Sequence, residues 1–241
     1  FELETETVPH VNIVTAGFPC QPFSISGKHR GFRDDRSNVF PELVRIIRKS
    51  QPDVFILENV KHIQHIDLGS VFTEINEQLK KLGYFVNWRV LNAKDFGVAQ
   101  NRERVFWIGT KHKPFDFASL RTVGSSVVIR DILDQKGNFE FLTEPFTLID
   151  SPKVQASGLK FVGYRNKRIR KAGVRPNTEH LSRVHKQPNR IYSIDGIHPT
   201  LPSQESSGRF WILLDDGRVR KLTLNECYKL MGFDRSFTNN Q

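Results

Sequence analysis

The chain has 241 residues, of which 38% are hydrophobic and 26% charged, a composition that favours a packed globular core and excludes a disordered chain. Its formal net charge of +10 favours a polyanionic binding partner. No apolar run approaches the ~18 residues of a membrane-spanning helix, so we expect no membrane association. The two cysteines are too few for a disulfide framework and indicate a reducing compartment.

Nearly all of the positive charge lies in one segment, between Lys160 and Arg190. This segment contains ten lysines and arginines and a single acidic residue, Glu179, for a net charge of +9. It is either a solvated basic face or a surface that contacts nucleic-acid phosphates. Charge alone does not separate these two interpretations.

The first half of the chain alternates between strand-like and helix-like patterns. The predicted elements are a strand at 11–16, a helix from Asn38, a strand at 54–57, a helix at 70–82, and strands at 84–91 and 105–108. Strands that alternate with helices are typical of an α/β domain. We therefore predict a mostly parallel sheet that helices cover on both faces.

The pattern changes after about Lys113, where helical periodicity fades and turn residues become frequent. The turn at 215–217, Asp-Asp-Gly, predicts a β-hairpin. Thr223 and Glu226 are spaced as a capping box and predict a short helix near the end of the chain. The sequence therefore predicts an α/β domain, a basic insert rich in strands and loops, and a return to the first domain.

Three places along the chain could carry chemistry. Cys20 follows the first predicted strand, where ligands collect in open α/β sheets. Glu58 follows an apolar run, so we expect its carboxyl group to be poorly solvated and to tend to hold a proton, as a general acid does. Arg102 and Arg104 alternate ahead of a strand and should point to the same side. Each also has an ordinary explanation: a small buried residue, a salt-bridge partner, and a surface ion-pair ladder.

Four motifs stand in a distinctive order along the chain. They are Gly-Phe-Pro-Cys-Gln-Pro-Phe-Ser at 17–24, Glu-Asn-Val at 58–60, Gln-x-Arg-x-Arg at 100–104, and Arg-Lys-Leu-Thr-x-x-Glu-x-x-x-Leu-Met-Gly-Phe at 220–233. In this order they resemble the C5-cytosine DNA methyltransferase family. The stretch at 24–32 also resembles the mobile catalytic loop of the family's bacterial type II modification enzymes.

The resemblance implies a fold and an activity. The fold is α/β, a Rossmann-like S-adenosylmethionine-dependent methyltransferase domain with its N-terminal cofactor-binding part missing, and a small target-recognition domain rich in loops and strands. The catalytic domain would comprise residues 1–134, the recognition domain 135–221, and the return 222–241. The activity is methyl transfer from S-adenosylmethionine to C5 of a flipped-out cytosine in a specific double-stranded DNA sequence, within a restriction-modification system of the bacterial cytoplasm.

The resemblance also implies roles for individual residues. Cys20 would attack C6 of cytosine, and Glu58 would contact N3 and the exocyclic amine. Arg102 and Arg104 would supply positive charge near the thiolate and hold the base. The implied DNA contacts come from the loop after Cys20 and from one downstream residue: Gln21, Ser24, Ser26, Lys28, Arg30 and Thr200. No metal site is predicted.

The sequence departs from the family pattern at the cofactor site. No two of its sixteen glycines are spaced as Gly-x-Gly, and the family's closing Gly-Asn-Ser/Ala-Val segment is absent. Only Pro19 and Val39 are left as candidate cofactor contacts. We therefore expect a piece of a longer protein, one subunit of a split enzyme that needs a complementary subunit, or a partial sequence, with negligible activity alone.

Two other functions remain open on the sequence. One is a DNA-binding subunit without catalysis, which the intact Cys20 and Glu58 disfavour. The other is an RNA cytosine-5 methyltransferase of the same family, which the loop at 24–32 and the size of the basic insert disfavour.

Overall fold

The computed structural model describes residues 8–19, 39–124, 127–165, 189–202 and 210–233. The chain divides into two compact units. The first takes its described residues from Phe1–Leu91 and Glu103–Arg121, and the second from Asn92–Arg102 and Thr122–Gln241. Within the described ranges, no helix is both long and apolar enough to cross a membrane.

The described residues of the first unit form a four-stranded sheet and two α-helices. Its elements are β1 (Ile13–Gly17), α1 (Val39–Ser50), β2 (Val54–Val60), α2 (Ser70–Lys80), β3 (Phe85–Asn92) and β5 (Glu103–Thr110), while β4 (Gln100–Asn101) belongs to the second unit. The strand order is β1-β2-β5-β3. β1 pairs with β2 in parallel, whereas β2 and β5 are antiparallel. The predicted helices and strands of this half are therefore confirmed within a few residues.

The prediction of a mostly parallel sheet is wrong for β5. Parallel neighbours need a crossover of about a dozen residues or more, usually with a helix. Only residues 93–102 separate β3 from β5, and the structure places no long helix there. This connection is too short for a parallel crossover from β3 to β5, and on its other side β5 lies antiparallel to β2.

One face of this sheet forms the core of the first unit. Side chains alternate along β2, so that Phe55, Leu57 and Asn59 are buried while Glu58 is partly exposed. Phe55 and Leu57 belong to one apolar cluster with residues of β5, α1 and α2: Val105, Trp107, Phe40, Leu43, Val44, Ile47, Val71, Ile75 and Leu79. Apolar side chains of both predicted helices therefore pack into this core.

The described residues of the second unit form a five-stranded sheet, a two-stranded sheet and two short α-helices. Its elements are β4 (Gln100–Asn101), α3 (Ile129–Ile132), β6 (Phe146–Val154), β7 (Lys160–Arg165), β8 (Arg190–Ser193), β9 (His198–Pro199), β10 (Trp211–Leu213), β11 (Val219–Lys221) and α4 (Leu224–Leu230). The larger sheet has the order β11-β10-β8-β7-β6, and β4 pairs with β9. The predicted hairpin joins β10 to β11, and the predicted capping box opens α4. The domain limits at 134 and 221 stay a prediction.

A buried ion pair holds β11 to the start of α4. The guanidinium of Arg220 donates to both carboxylate oxygens of Glu226, at 2.8 and 2.7 Å, and the side chains are 3% and 0% exposed. The same carboxylate accepts backbone N–H groups of Thr223 and Asp134. Glu226 therefore accepts hydrogen bonds from two chain segments. Among the described residues, it is also the one acidic side chain that pairs with Arg220.

Replacing Glu226 with glutamine should lower the free energy of unfolding by about 3 kcal/mol, because the buried guanidinium of Arg220 loses its counter-charge. Urea titration followed by tryptophan fluorescence measures this loss. Glu140→Gln is the matched control, since Glu140 pairs with Lys221 at the surface and is half exposed. The control should cost less than about 1 kcal/mol, and equal losses in both variants would contradict the importance of burial.

Candidate active site

The end of β1 places a glycine and an aromatic anchor immediately before Cys20. Gly17 lies opposite Glu58 in the parallel register, and a Cβ atom added at Gly17 would lie 3.3 Å from Oε2 of Glu58. Phe18 is buried, with its ring 5.1 Å from that of Phe40. The glycine therefore leaves room for the carboxylate, and the phenylalanine fixes the chain to the core. Cys20 itself lies outside the described residues.

Asn59 fixes the same segment by a hydrogen bond. Its Nδ2 donates to the carbonyl oxygen of Phe18 at 3.0 Å, and its Oδ1 accepts the backbone N–H of Val60 at 2.8 Å. The side chain is 2% exposed, so both polar atoms are satisfied inside the core. Asn59 lies within the Glu-Asn-Val motif, but the sequence indicated a role only for Glu58. The available signal was an asparagine at an inward position of an apolar strand.

Glu58 forms an ion pair with Arg104. Arg104 lies opposite Val60 in the antiparallel register, which makes Glu58 its diagonal neighbour on the same face. Arg104 Nε lies 2.8 Å from Glu58 Oε1, and the two side chains are 16% and 33% exposed. The prediction of a poorly solvated carboxyl group is therefore wrong, because strand alternation turns Glu58 away from the core that buries its neighbours.

In the second unit, the backbone of Arg102 is fixed by residues at the end of β3. Its N–H donates to Oδ1 of Asn92 at 3.0 Å, and its carbonyl oxygen accepts the N–H of Ala93 at 3.1 Å. Arg102 thus groups with the second unit, whereas Arg104 groups with the first. That the two arginines point to the same side stays a prediction.

Thr200 is tied to the Gln-x-Arg-x-Arg segment. Its hydroxyl donates to the carbonyl oxygen of Asn101 at 2.6 Å, where β4 and β9 pair in parallel. The fully buried Gln100 donates from Nε2 to the carbonyl oxygen of Leu230 at 2.7 Å and accepts the N–H of Leu201 at 3.1 Å. Gln100, whose individual role the sequence did not indicate, therefore joins β4, the segment at 200–201 and the end of α4.

His198, two residues before Thr200, is a buried neutral imidazole. Its Nδ1–H donates to the carbonyl oxygen of Pro199 at 2.6 Å, and its ring stacks on Phe210 at 5.4 Å. Complete burial lowers the pKa of His198 to about 4, since an imidazolium would be desolvated there. His198 therefore acts as a neutral packing group at physiological pH.

The other predicted contacts are incompletely described. Pro19 and Val39 are exposed, with Val39 46% exposed, and they offer S-adenosylmethionine an apolar surface beside the first turn of α1. These two residues thus fit an apolar part of such a cofactor. The predicted loop contacts Gln21, Ser24, Ser26, Lys28 and Arg30 lie outside the described residues. Within the described ranges, no three potential metal ligands form a cluster.

Comparison with known proteins identifies the family. A model of the C-5 cytosine-specific DNA methylases matches residues 2–241. The chain belongs to this family. The predicted family, enzyme class and α/β methyltransferase fold are therefore confirmed.

Two type II methyltransferases illustrate the similarity in sequence. M.HhaI from Haemophilus parahaemolyticus is 33% identical over 98% of this chain and 69% of its own length. M.NlaIV from Neisseria lactamica is 46% identical over 47% of this chain and 29% of its own length. The chain therefore spans about two thirds of M.HhaI.

Solved structures show the same fold at lower identity. The Dnmt2 methyltransferase of S. pombe is 16% identical, with a TM-score of 0.59, over 95% of this chain and 69% of that one. The Entamoeba histolytica methyltransferase EhMeth is 19% identical, also with a TM-score of 0.59, over 95% of this chain and 68% of that one. At these identities the likeness supports the fold alone.

Acidification should destabilise the second unit through His198. The folded state takes up the proton only near pH 4, whereas the unfolded chain takes it up near pH 6.5, so stability present above pH 6.5 is lost as the pH falls towards 4. Between pH 7 and pH 5, the parent should lose about 2 kcal/mol more free energy of unfolding than His198→Asn. The difference in free energy of unfolding between the two proteins is taken at each pH, so that the contributions of the carboxyl groups common to both cancel. Parallel profiles would contradict the buried neutral imidazole.

Proposed function

We propose that this methylase transfers a methyl group to C5 of a flipped-out cytosine in a specific duplex DNA sequence, through a covalent bond between Cys20 and C6. One observation carries the proposal. The parallel pairing of β1 and β2 sets Gly17 against Glu58, so that the segment leading into Cys20 starts beside a carboxylate paired with Arg104. A nucleophile, an acid and a cation are thus assigned to neighbouring strand ends.

The chemistry requires a nucleophile because C5 of cytosine is too electron-poor to accept a methyl group unaided. The Cys20 thiolate donates an electron pair to C6, and the C5–C6 double bond shifts its electrons so that C5 becomes nucleophilic. S-adenosylmethionine would supply the methyl group that C5 accepts, and its sulfonium sulfur would leave as a neutral thioether. Loss of the C5 proton to a base restores the double bond and releases the Cys20 thiolate.

Glu58 and the arginines would stabilise the electron-rich ring. In this proposal Glu58 delivers a proton to N3, where negative charge accumulates when the thiolate attacks, and one of its oxygens accepts a hydrogen bond from the exocyclic amine. The guanidinium of Arg104 orients the Glu58 carboxylate, as the 2.8 Å ion pair supports. Positive charge from Arg104 and Arg102 would also favour the thiolate form of Cys20.

DNA contacts would come from two parts of the chain. Extruding the base from the duplex costs roughly a few kcal/mol, which contacts from the loop at 20–32 would offset: Gln21, Ser24, Ser26, Lys28 and Arg30. In the second unit, Thr200 would meet the backbone near the flipped base. Lys160 and Arg165 already lie near carboxylates. We therefore assign the phosphate contacts to the other basic residues of the segment between Lys160 and Arg190. The recognition domain would be 135–221, between the catalytic parts 1–134 and 222–241.

The biological setting follows from the relatives. M.HhaI and M.NlaIV are named type II methyltransferases, which supports a role as the modification partner of a restriction enzyme in the bacterial cytoplasm. Pro19 and Val39 would contact S-adenosylmethionine through their exposed apolar surfaces. Polar cofactor contacts would come from residues beyond those described or from a complementary subunit.

Transfer of a labelled methyl group from S-adenosylmethionine tests the proposal. The full-length protein should label duplex DNA at one cytosine of a short recurring sequence, mapped by bisulfite sequencing, and Cys20→Ser should abolish labelling while it still binds DNA. Cys227→Ser is the matched control, because Cys227 is buried in the core of the second unit. Sequence-specific DNA binding without labelling would favour the non-catalytic subunit, and labelling of RNA in place of DNA would favour the RNA enzyme.

Replacing Asn59 with aspartate should impair both stability and methyl transfer. The carboxylate cannot donate to the Phe18 carbonyl oxygen, so a buried hydrogen bond worth about 2 kcal/mol is lost and the segment before Cys20 loosens. We expect methyl transfer to slow by about tenfold or more. Asn76→Asp is the control, because Asn76 donates in the same way to the carbonyl oxygen of Phe72, on α2. It should reduce stability and leave the rate unchanged, and an equal loss of rate in both variants would rule out a specific role for Asn59.

A further inference from the structure

We propose that Asn92 is the positioning residue of Arg102, and that it fixes the position of this arginine relative to Thr200. The inference rests on the proposed function, in which Arg102 and Thr200 face the cytosine and its strand. Neither the resemblance nor the four motifs assigned a role to Asn92, which lies eight residues before the Gln-x-Arg-x-Arg motif.

The amide of Asn92 uses both of its polar atoms on the segment that carries Arg102. Oδ1 accepts the N–H of Arg102 at 3.0 Å, and Nδ2 donates to Oδ1 of Asn101 at 2.7 Å. The backbone beside it adds a third bond, from the Ala93 N–H to the Arg102 carbonyl oxygen at 3.1 Å. Arg102 is thus held at its N–H, at its carbonyl oxygen and through the preceding side chain.

These hydrogen bonds are important because Arg102 lies in a gap between two strands. β4 ends at Asn101 and β5 begins at Glu103, so Arg102 itself belongs to neither strand. The side-chain Oδ1 of Asn92 accepts the Arg102 N–H that a neighbouring strand would otherwise bind. A rotation of the backbone at Arg102 would move its guanidinium by several bond lengths, so the anchor of the backbone determines where the charge lies.

The same network reaches Thr200. The carbonyl oxygen of Asn101 accepts the Thr200 hydroxyl at 2.6 Å, while the Asn101 side chain accepts from Asn92. Asn101 therefore links the residue that fixes Arg102 to the residue expected at the DNA backbone. A shift of this segment would displace Arg102 and Thr200 together, which would alter base and backbone contacts at once.

A purely local role is the competing explanation. Oδ1 of Asn92 also accepts the N–H of Lys94 at 3.4 Å and so caps the 3-10 turn at Ala93–Asp95. A cap alone would affect stability and would act independently of Arg102. The two explanations therefore differ in whether the effect of Asn92 needs the arginine side chain.

A double-mutant cycle separates them, with single-turnover methyl transfer and DNA affinity as readouts. Asn92→Ala should lower kcat/KM about tenfold, because the Arg102 N–H loses its acceptor. In an Arg102→Ala background, the same change should alter kcat/KM by less than about twofold, since there is no guanidinium left to misplace. Asn92→Asp keeps the acceptor and should stay within about threefold of the parent, since the Asn101 amide can turn to donate to it.

Asn87→Ala is the matched control. Asn87 also lies on β3, is partly buried, and donates one hydrogen bond to the carbonyl oxygen of Phe115 at 2.9 Å. It should lose comparable stability and keep full activity. Asn92→Ala would overturn the inference if its loss of activity were fully additive with that of Arg102→Ala, or if its activity equalled that of the parent. Absence of methyl transfer in the parent protein would instead overturn the proposed function on which the inference rests.

Discussion

The parallel pairing of β1 with β2 is the constraint on which the rest of the site depends. Parallel strands end at the same edge of a sheet, and here the register sets Gly17 opposite Glu58. A side chain at Gly17 would crowd the carboxylate, with its first carbon 3.3 Å from Oε2. The pairing therefore decides both where the segment before Cys20 begins and how much room the acid beside it has.

Alternation along β2 gives two adjacent residues opposite tasks. Asn59 points into the core and holds the Phe18 carbonyl oxygen, while Glu58 points to the other face and meets Arg104. A rigid apolar core thus carries a polar contact on each side of one strand. Buried polar groups of this kind cost free energy unless they are paired, and both atoms of the Asn59 amide are paired. The core therefore fixes the position of the Phe18 backbone, because the hydrogen bond from Asn59 is shielded from water.

Much of the fold could be predicted from the sequence, because periodicity reports which side of an element is apolar. The stripes of α1 and α2, the capping box at Thr223 and the hairpin turn at 215–217 all follow from local pattern. The direction of β5 relative to β2 could not be read in this way, since it depends on which strands pair, and that pairing is not local in sequence. The exposure of Glu58 was misjudged for a related reason: a run of apolar residues does not reveal which face of the sheet each side chain meets.

The site was predictable only in part. The family resemblance pointed to Glu58, Arg104 and Thr200, and the structure supplies a partner for each of them. Asn59, Gln100 and Asn92 act through their side-chain amides, and each amide bonds a backbone group ten or more residues away in the sequence. An amide side chain carries no signal of its partner, so such residues become visible only once the chain is folded.

The central claim is that Cys20 bonds covalently to the target base, and a trapped complex tests it most directly. Duplex DNA with 5-fluorocytosine at the mapped target has no C5 proton to lose, so the covalent bond to C6 cannot be released after methyl transfer. With S-adenosylmethionine present, mass spectrometry of the digested complex should find the DNA attached to the peptide that contains Cys20, and Cys20→Ser should give no attachment. Attachment at Cys227, or tight binding of this DNA without any attachment, would contradict the account.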